Sequence, residues 1–283
     1  MAAQSLFSTW LSLLSPWQIW SGLTVIGLGV GSLLNVVIYR LPRMIAAAEL
    51  MSAEEHTAPS FNLWLPASHC PYCRQTVAWR DNIPLLSWLL LRARCRHCRQ
   101  PISARYPAVE AASLLLTLAA GYYFPPGVTL CAVLLFSWLL LALAVIDLDC
   151  GLLPDALTYS LLWSGLLFNL DNRFVPLSGA VIGAVAGYLA LWLIVQAMNH
   201  ATGKLCMGGG DLKLTAALGA WLGWQALPLL LLSASLVGIA AIVLRARLMD
   251  KDLQSALPFG PALALSGAAM LLMNLLDKPA GWQ

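Results

Sequence analysis

The stretch VTLCAVLLFSWLLLALAVID, residues 128–147, runs from Val128 to Ile146 without a charge and then ends on Asp147. A helix crossing the roughly 30 Å hydrocarbon core of a bilayer takes about 20 apolar residues, so this stretch reads as a membrane-spanning helix. The whole chain agrees. Of its 283 residues 60% are hydrophobic and only 10% charged, against about a quarter charged in a soluble domain. Stretches that meet or approach the spanning length fall at roughly 18–39, 108–123, 128–146, 154–169, 176–198, 211–223, 226–244 and 258–276, the fourth and sixth being short. Their apolar runs are continuous rather than alternating, which argues against a closed barrel, and an open sheet leaves backbone groups unsatisfied in lipid. The expected fold is an all-α polytopic membrane protein, a bundle of about eight transmembrane helices.

Orientation follows from the basic residues. Arg40, Arg43, Arg74, Arg80, Arg92, Arg94, Arg96, Arg99 and Arg105 lie between the first two spans, which places that loop in the cytosol. Alternating the later spans puts Lys204, Lys213, Arg245, Arg247 and Lys251 on the same side, leaving only Arg173 and Lys278 outside. The net charge of +3 is therefore a topology signal and gives no ground for nucleic-acid binding. Before Arg40 there is no Lys or Arg, so the apolar start Leu6–Leu14 lacks the basic region of a secretory signal and reads as a short interfacial helix. Three segments result: 1–40 with the first span, a cytosolic loop over 41–105, and a transmembrane bundle over 106–283.

The loop carries Cys70-Pro71-Tyr72-Cys73 and Cys95-Arg96-His97-Cys98, two knuckles separated by 21 residues. In zinc ribbons each such knuckle supplies two thiolates to one tetrahedral ion. Disulfides are disfavoured in the cytosol, and four thiolates leave no open position for water, so the expected ion is one structural zinc held by Cys70, Cys73, Cys95 and Cys98. A loop of this size has little core of its own and gains from a metal staple. His69 and His97 stand beside the knuckles as solvent-facing or supporting residues, and a redox pair is the weaker alternative because the motif is duplicated. Cys131, Cys150 and Cys206 lie in or beside spans, where small apolar packing is the common role.

Ionisable groups at membrane depth are costly and are functional suspects. Asp147 ends one apolar run, and Asp211 closes Met207-Gly208-Gly209-Gly210-Asp211 before another; the alternation of spans puts both at the cytosolic edge. The glycines admit close backbone approach or positive φ, while the Lys and Ser/Thr of a phosphate loop are not at the required spacing. Asp149 and Asp155 read as loop and cap residues. Gly27, Gly31 and Asn35 share one face of the first span, which favours close helix packing with a hydrogen bond from Asn35 across it. For Glu110, just after Pro107, two readings stay open: complementing a helix N-terminus or binding a cationic ligand.

Together these residues resemble the bifunctional prepilin leader peptidase/N-methyltransferase family, membrane aspartic peptidases that process type IV prepilins and type II secretion pseudopilins. The resemblance rests on Gly31-Ser32-Leu33-Leu34-Asn35 through Leu41-Pro42, the double Cys-x-x-Cys loop, Arg105-Tyr106-Pro107-Ala108-Val109-Glu110, Asp147 before Pro154-Asp155, the Gly-x-Gly-Asp run, and Leu257-Pro258-Phe259-Gly260-Pro261. The chain departs from the family pattern at Leu33, commonly Phe, and in Lys204-Leu205-Cys206-Met207, where an acidic residue is common.

The resemblance implies catalysis by Asp147 and Asp211, cleavage after a Gly at the cytosolic face of the bacterial inner membrane, and S-adenosylmethionine as donor for methylating the new N-terminus. It also implies substrate or cofactor contacts by Gly31, Asn35, Glu110, Gly208 and Gly210, and work beside secretion or pilus assembly machinery. Two carboxylates cut an amide with one as base toward water and the other as acid toward carbonyl oxygen and leaving amine; placed close together, they hold one proton between them. The loop arginines meet lipid phosphates or set topology. Two rival readings remain: a non-enzymatic assembly factor, which leaves both aspartates without a role, and a cation transporter using them as ion ligands.

Overall fold

The computed structural model describes residues 15–51, 62–203, 208–249 and 258–276, and the expected helix over Leu6–Leu14 and the run Lys204–Met207 lie outside them. The described residues form nine α-helices and no strand. They are α1 (Pro16–Met51), α2 (Leu86–Leu90), α3 (Arg105–Tyr123), α4 (Val128–Cys150), α5 (Asp155–Phe168), α6 (Leu177–Thr202), α7 (Gly209–Leu222), α8 (Leu227–Met249) and α9 (Gly260–Leu276). All eight apolar stretches of the sequence fall on helices. Four helices are long and apolar enough to cross a membrane: Pro16–Glu49, Val128–Cys150, Leu177–Thr202 and Trp224–Leu248. In each, half or less of the most apolar window is covered by protein, and apolar faces left bare on that scale call for lipid.

Ser15 and Gln18 start α1, the Gln18 side chain accepting the Ser15 N–H at 2.8 Å as in one arm of a capping box. The helix does not stop with the span at 39. It passes through Pro42 to Met51, because a single missing N–H is outweighed by the helix formers Met44, Ala46, Ala47, Ala48 and Glu49 that follow.

The chain divides into two compact units, Met1–Trp138 and Leu139–Gln283. In the first, α1 packs on α3 at the face marked by Gly27, Gly31 and Asn35. A Cβ at Gly31 would stand 2.8 Å from the Glu110 Cα, and one at Gly27 would stand 3.1 Å from the Leu114 Cα, so only glycine admits this approach. The Ser113 hydroxyl donates to the Gly27 carbonyl at 2.8 Å, and Asn35 Nδ2 donates to the Tyr106 carbonyl at 3.0 Å.

In the second unit α7 is the centre, packed by α5, α6 and α9, with every residue from Leu212 to Leu222 buried except Lys213. At 14 residues it is about 21 Å long, shorter than the bilayer core, which suits a helix wrapped by others. Gly183 of α6 and Gly219 of α7 lie backbone to backbone, each filling the space a Cβ on the other would need. Trp221, fully buried, donates from Nε1 to the Leu161 carbonyl at 2.8 Å, and Asn169 bridges the Ala220 carbonyl and the Phe174 N–H at 2.9 Å each. These contacts fix the buried helix, and with it whatever its first turn carries.

Candidate active site and metal centre

The first turn of α7 carries Asp211. Gly208 precedes the helix in an extended conformation, φ −77° and ψ 153°, so none of the three glycines uses a positive φ. Their purpose here is space. A Cβ at Gly210 would stand 2.7 Å from the Leu153 Cβ, whereas Gly208 and Gly209 have nothing within 4 Å of theirs. Gly210 thus brings α7 against the segment that follows α4, and Gly208 and Gly209 leave an open backbone edge beside the acid.

Asp147 sits in the last turn of α4, which ends where Gly151, at φ +64°, returns its N–H to the Asp147 carbonyl at 2.9 Å. The Asp147 side chain is only 5% exposed. Its Oδ2 accepts the Gly260 backbone N–H at 2.9 Å. Asp211 lies within electrostatic reach of Asp147, and its Oδ1 is buried with no hydrogen-bond partner among the described residues. Leaving a buried carboxylate oxygen unpaired costs on the order of 1–3 kcal/mol or more, which a structural acid avoids by finding a donor. The two acids that the sequence singled out are therefore together, one with a fixed donor and one without.

Gly260 is a site residue that the sequence reading quoted only within Leu257–Pro261. A Cβ there would stand 3.1 Å from the Asp147 Cγ and 3.2 Å from a Leu153 methyl; a glycine between Phe259 and Pro261 was the available signal. Asp155, exposed, is the first residue of α5 and makes no cap hydrogen bond, Pro154 being the N-cap; it pairs instead with Lys213 at 2.6 Å, tying α5 to the turn that carries Asp211, and the ammonium also lies 5.6 Å from the Tyr159 ring centre. Cys150 donates its thiol to the Ile146 carbonyl at 3.2 Å, as a helix cysteine does without a catalytic task. Cys206 lies outside the described residues.

In the first unit the sulfurs of Cys70, Cys73, Cys95 and Cys98 all lie within 4.8 Å of one another, and Cys70 and Cys98 are 3.8 Å apart. A tetrahedron with Zn–S bonds of about 2.3 Å has edges of about 3.8 Å, so the cluster has the dimensions to hold such an ion. None of the four is in a disulfide.

The knuckles repeat each other's backbone. Cys70 and Cys95 donate to the carbonyls of Gln75 and Gln100, both at 2.9 Å, and accept from Arg74 and Arg99 at 2.9 and 3.0 Å. Both arginines have positive φ, +57° and +59°. Val77 donates to Ser68 at 2.8 Å, and Ile102 donates to Ala93 at 2.7 Å. The Cys73 backbone N–H draws the Cys70 thiol down to about 7, toward the thiolate form that binds metal. At Cys98 a hydrogen bond with the Gln100 backbone pulls the same way, but burial and the neighbouring thiols push it up to about 11, the behaviour of crowded thiols that part with protons when a cation arrives. His69 and His97 are exposed.

Glu110 does not cap α3, which starts at Arg105. Its Oε2 accepts the Leu85 N–H at 2.7 Å, while the Asn35 amide is spent on the Tyr106 carbonyl at 3.0 Å. Leu85 is held there at φ +56° and ψ −48°, a strained conformation for a branched residue. Gly31, Asn35 and Glu110 are thus brought together in the first unit, while Gly208 and Gly210 stand with the aspartates in the second. Two loop arginines have structural partners that the topology reading did not foresee. Arg40, 7% exposed, donates to the carbonyls of Asn62, Leu63 and Pro66. Arg96 makes a two-point contact with Asp81 at 2.8 and 2.6 Å.

Comparison with known proteins gives matches over both units. Residues 25–124 match the model of the bacterial peptidase A24 N-terminal domain, and residues 134–243 that of the type IV leader peptidase family. The prepilin leader peptidase/N-methyltransferase of Pectobacterium carotovorum subsp. carotovorum is 51% identical over 261 residues, covering 90% of this chain and 94% of its own. The proteins of that name in Dickeya chrysanthemi and Aeromonas hydrophila are 49% identical over 267 residues (92% of this chain, 93% of theirs) and 51% identical over 279 residues (94% of each). No solved structure matches the chain.

Proposed function

This chain belongs to the type IV leader peptidase family, and from that premise we propose that it removes the basic leader of prepilins or pseudopilins and then methylates the new N-terminus. The observation that carries the peptidase half is the carboxylate pair Asp147 and Asp211, with Oδ1 of Asp211 buried and unpartnered. One carboxylate takes a proton from water as the oxygen attacks the scissile carbonyl, and the other gives a proton to the carbonyl oxygen and then to the departing amine. The open edge at Gly208 and Gly209 has room for an extended substrate backbone, in which the bond after the substrate's glycine is accessible. Gly208 and Gly210 belong to this half.

For the methyl-transfer half, the residues are Gly31, Asn35 and Glu110. S-adenosylmethionine, when bound, supplies an electrophilic methyl group; the chain's part is to hold the amine neutral and aligned. The Cys70, Cys73, Cys95 and Cys98 cluster holds one structural zinc, a reading supported by its sulfur spacing. The protein lies in the bacterial inner membrane with all eight apolar helices embedded, α7 enclosed by its neighbours, and with the zinc loop (41–105) and both aspartates at the cytosolic face. Residues 1–40 carry the first span and 106–283 the remaining bundle, in the service of a type II secretion or type IV pilus system.

The direct test is co-expression with candidate prepilins and mass measurement of their N-termini. Asp147→Asn and Asp211→Asn are each expected to abolish leader cleavage while folded protein stays in the membrane. Full cleavage by either well-expressed variant would refute the assignment.

A further inference from the structure

The loop between α1 and α3 carries apolar side chains on its surface that neither proposed chemistry uses. In α2, Leu86, Leu89 and Leu90 are exposed, Leu89 by 63% and Leu90 by 73%. On the opposite side of the same helix Ser87, Trp88 and Leu91 line a cavity of about 600 Å³, shared with Ser32, Asn35 and Val36 of α1. The helix thus turns its leucines away from α1. Bare in water, a cluster of this kind is unfavourable and marks a contact surface.

The depth of α2 decides what covers it. Leu85, the residue before α2, donates its N–H to Glu110, and Glu110 lies so close to Gly31 that a Cβ there would stand 2.8 Å from the Glu110 Cα. About 12 Å of helix separates Gly31 from Tyr39, where the apolar stretch of the first span ends. So α2 begins beside the last turns of a span, not beyond its end, and its outer side meets the edge of the bilayer. The backbone suits that position. The N–H groups of Ser87, Leu89, Leu91, Arg92, Ala93 and Arg94 all donate to carbonyls between Ile83 and Leu91, so the segment brings few unsatisfied amides to lipid. Arg92, Arg94 and Arg99 follow on the surface, and cations next to an apolar face match the anionic phosphates of a cytosolic leaflet.

A second observation points the same way. Arg40, the first residue after the span, donates to the carbonyls of Asn62 and Pro66, which holds the turn between them at the span's end. Asn62 Oδ1 accepts the N–H groups of Trp64 and Leu65 at 2.8 and 2.7 Å, and the turn presents Trp64 82% exposed at the level where tryptophan favours the membrane interface.

We infer that the metal-binding loop is seated in the cytosolic leaflet. Leu86, Leu89 and Leu90 enter the boundary between headgroups and acyl chains, Arg92 and Arg94 meet lipid phosphates, and Trp64 is a second anchor at the same interface. The choice of leaflet rests on the orientation proposed above; the seating itself does not.

The test uses the full, metal-loaded chain in nanodiscs of phosphatidylethanolamine and phosphatidylglycerol, with a photo-crosslinking residue placed by Leu90→p-benzoylphenylalanine or Trp64→p-benzoylphenylalanine. The same change at Ile182, exposed on the long apolar helix α6, is the positive reference. Irradiation and mass measurement are expected to give phospholipid adducts at positions 90 and 64 as at 182. Absence of lipid adducts at 90, or adducts there with a polypeptide alone, overturns the seating of α2; their absence at 64 overturns the second anchor. Replacing phosphatidylglycerol by phosphatidylcholine, or combining Arg92→Gln with Arg94→Gln, is expected to lower the yield at 90 by roughly fivefold, the scale of one interfacial arginine, and to leave 182 unchanged. An equal yield at 90 overturns the role of the arginines. Cleavage of the loop by protease added outside sealed, right-side-out vesicles overturns the orientation and leaves the seating intact.

Discussion

At Gly260 a single added methyl group would stand 3.1 Å from the Asp147 Cγ, on the very residue whose N–H holds that carboxylate. Gly260→Ala is therefore expected to shift Asp147 and to slow leader cleavage by about 100-fold, the cost of misplacing a reacting group by about 1 Å. Initial rates on a purified substrate measure it, with metal content as the check on folding. Asp147 and Asp211 were legible in the sequence because a charge at the end of an apolar run is visible without any partner. Gly260 was not, since it meets Asp147 across 113 residues. Arg40 was legible only as a count toward topology; its burial against the carbonyls of Asn62 to Pro66 depends on how the loop folds back. Glu110 stayed open between cap and ligand for the same reason, its Leu85 partner being 25 residues away in a backbone conformation that no pattern announces.

Among the elements, the α6–α7 crossing has the least tolerance. Gly183 and Gly219 face each other's backbone, and backbone cannot rotate aside as a side chain does. Gly219→Ala is expected to destabilise the second unit by about 1–3 kcal/mol, read as a lower thermal midpoint in detergent and a loss of cleavage on mild heating. The knuckles invite a different experiment. Chelation, or replacement of any one of Cys70, Cys73, Cys95 and Cys98 by Ser, is expected to release one zinc per chain and speed proteolysis of the loop while the apolar helices persist, because their burial in lipid does not depend on the ion.

Element positions were easier to read than element ends. Hydropathy placed all eight apolar helices, yet α1 overran its predicted end by twelve residues, from 39 to Met51. Charge and proline mark where a span leaves the membrane, and a helix is free to continue into water.

For the molecule as a whole, the residues proposed for peptide cleavage lie in one compact unit and those proposed for methyl transfer in the other. Asp211→Asn is accordingly expected to methylate a pre-cleaved substrate at near the wild-type rate, and Glu110→Gln to lose methylation more than cleavage. Mass spectrometry on a synthetic mature N-terminus with S-adenosylmethionine decides between this and a single shared site.

The hydrogen bond from Gly260 to Asp147 also bears on how the protein is made. Cys98 and Glu110 leave the ribosome long before residue 260, so the metal loop and its cavity have all their residues while Asp147 still lacks its donor. A nascent or prematurely terminated chain that ends ahead of Gly260 carries the cysteines and even both aspartates, but not the amide that orients the first of them. The Asp147 carboxylate thus gains its backbone donor only when the chain has been made past residue 260.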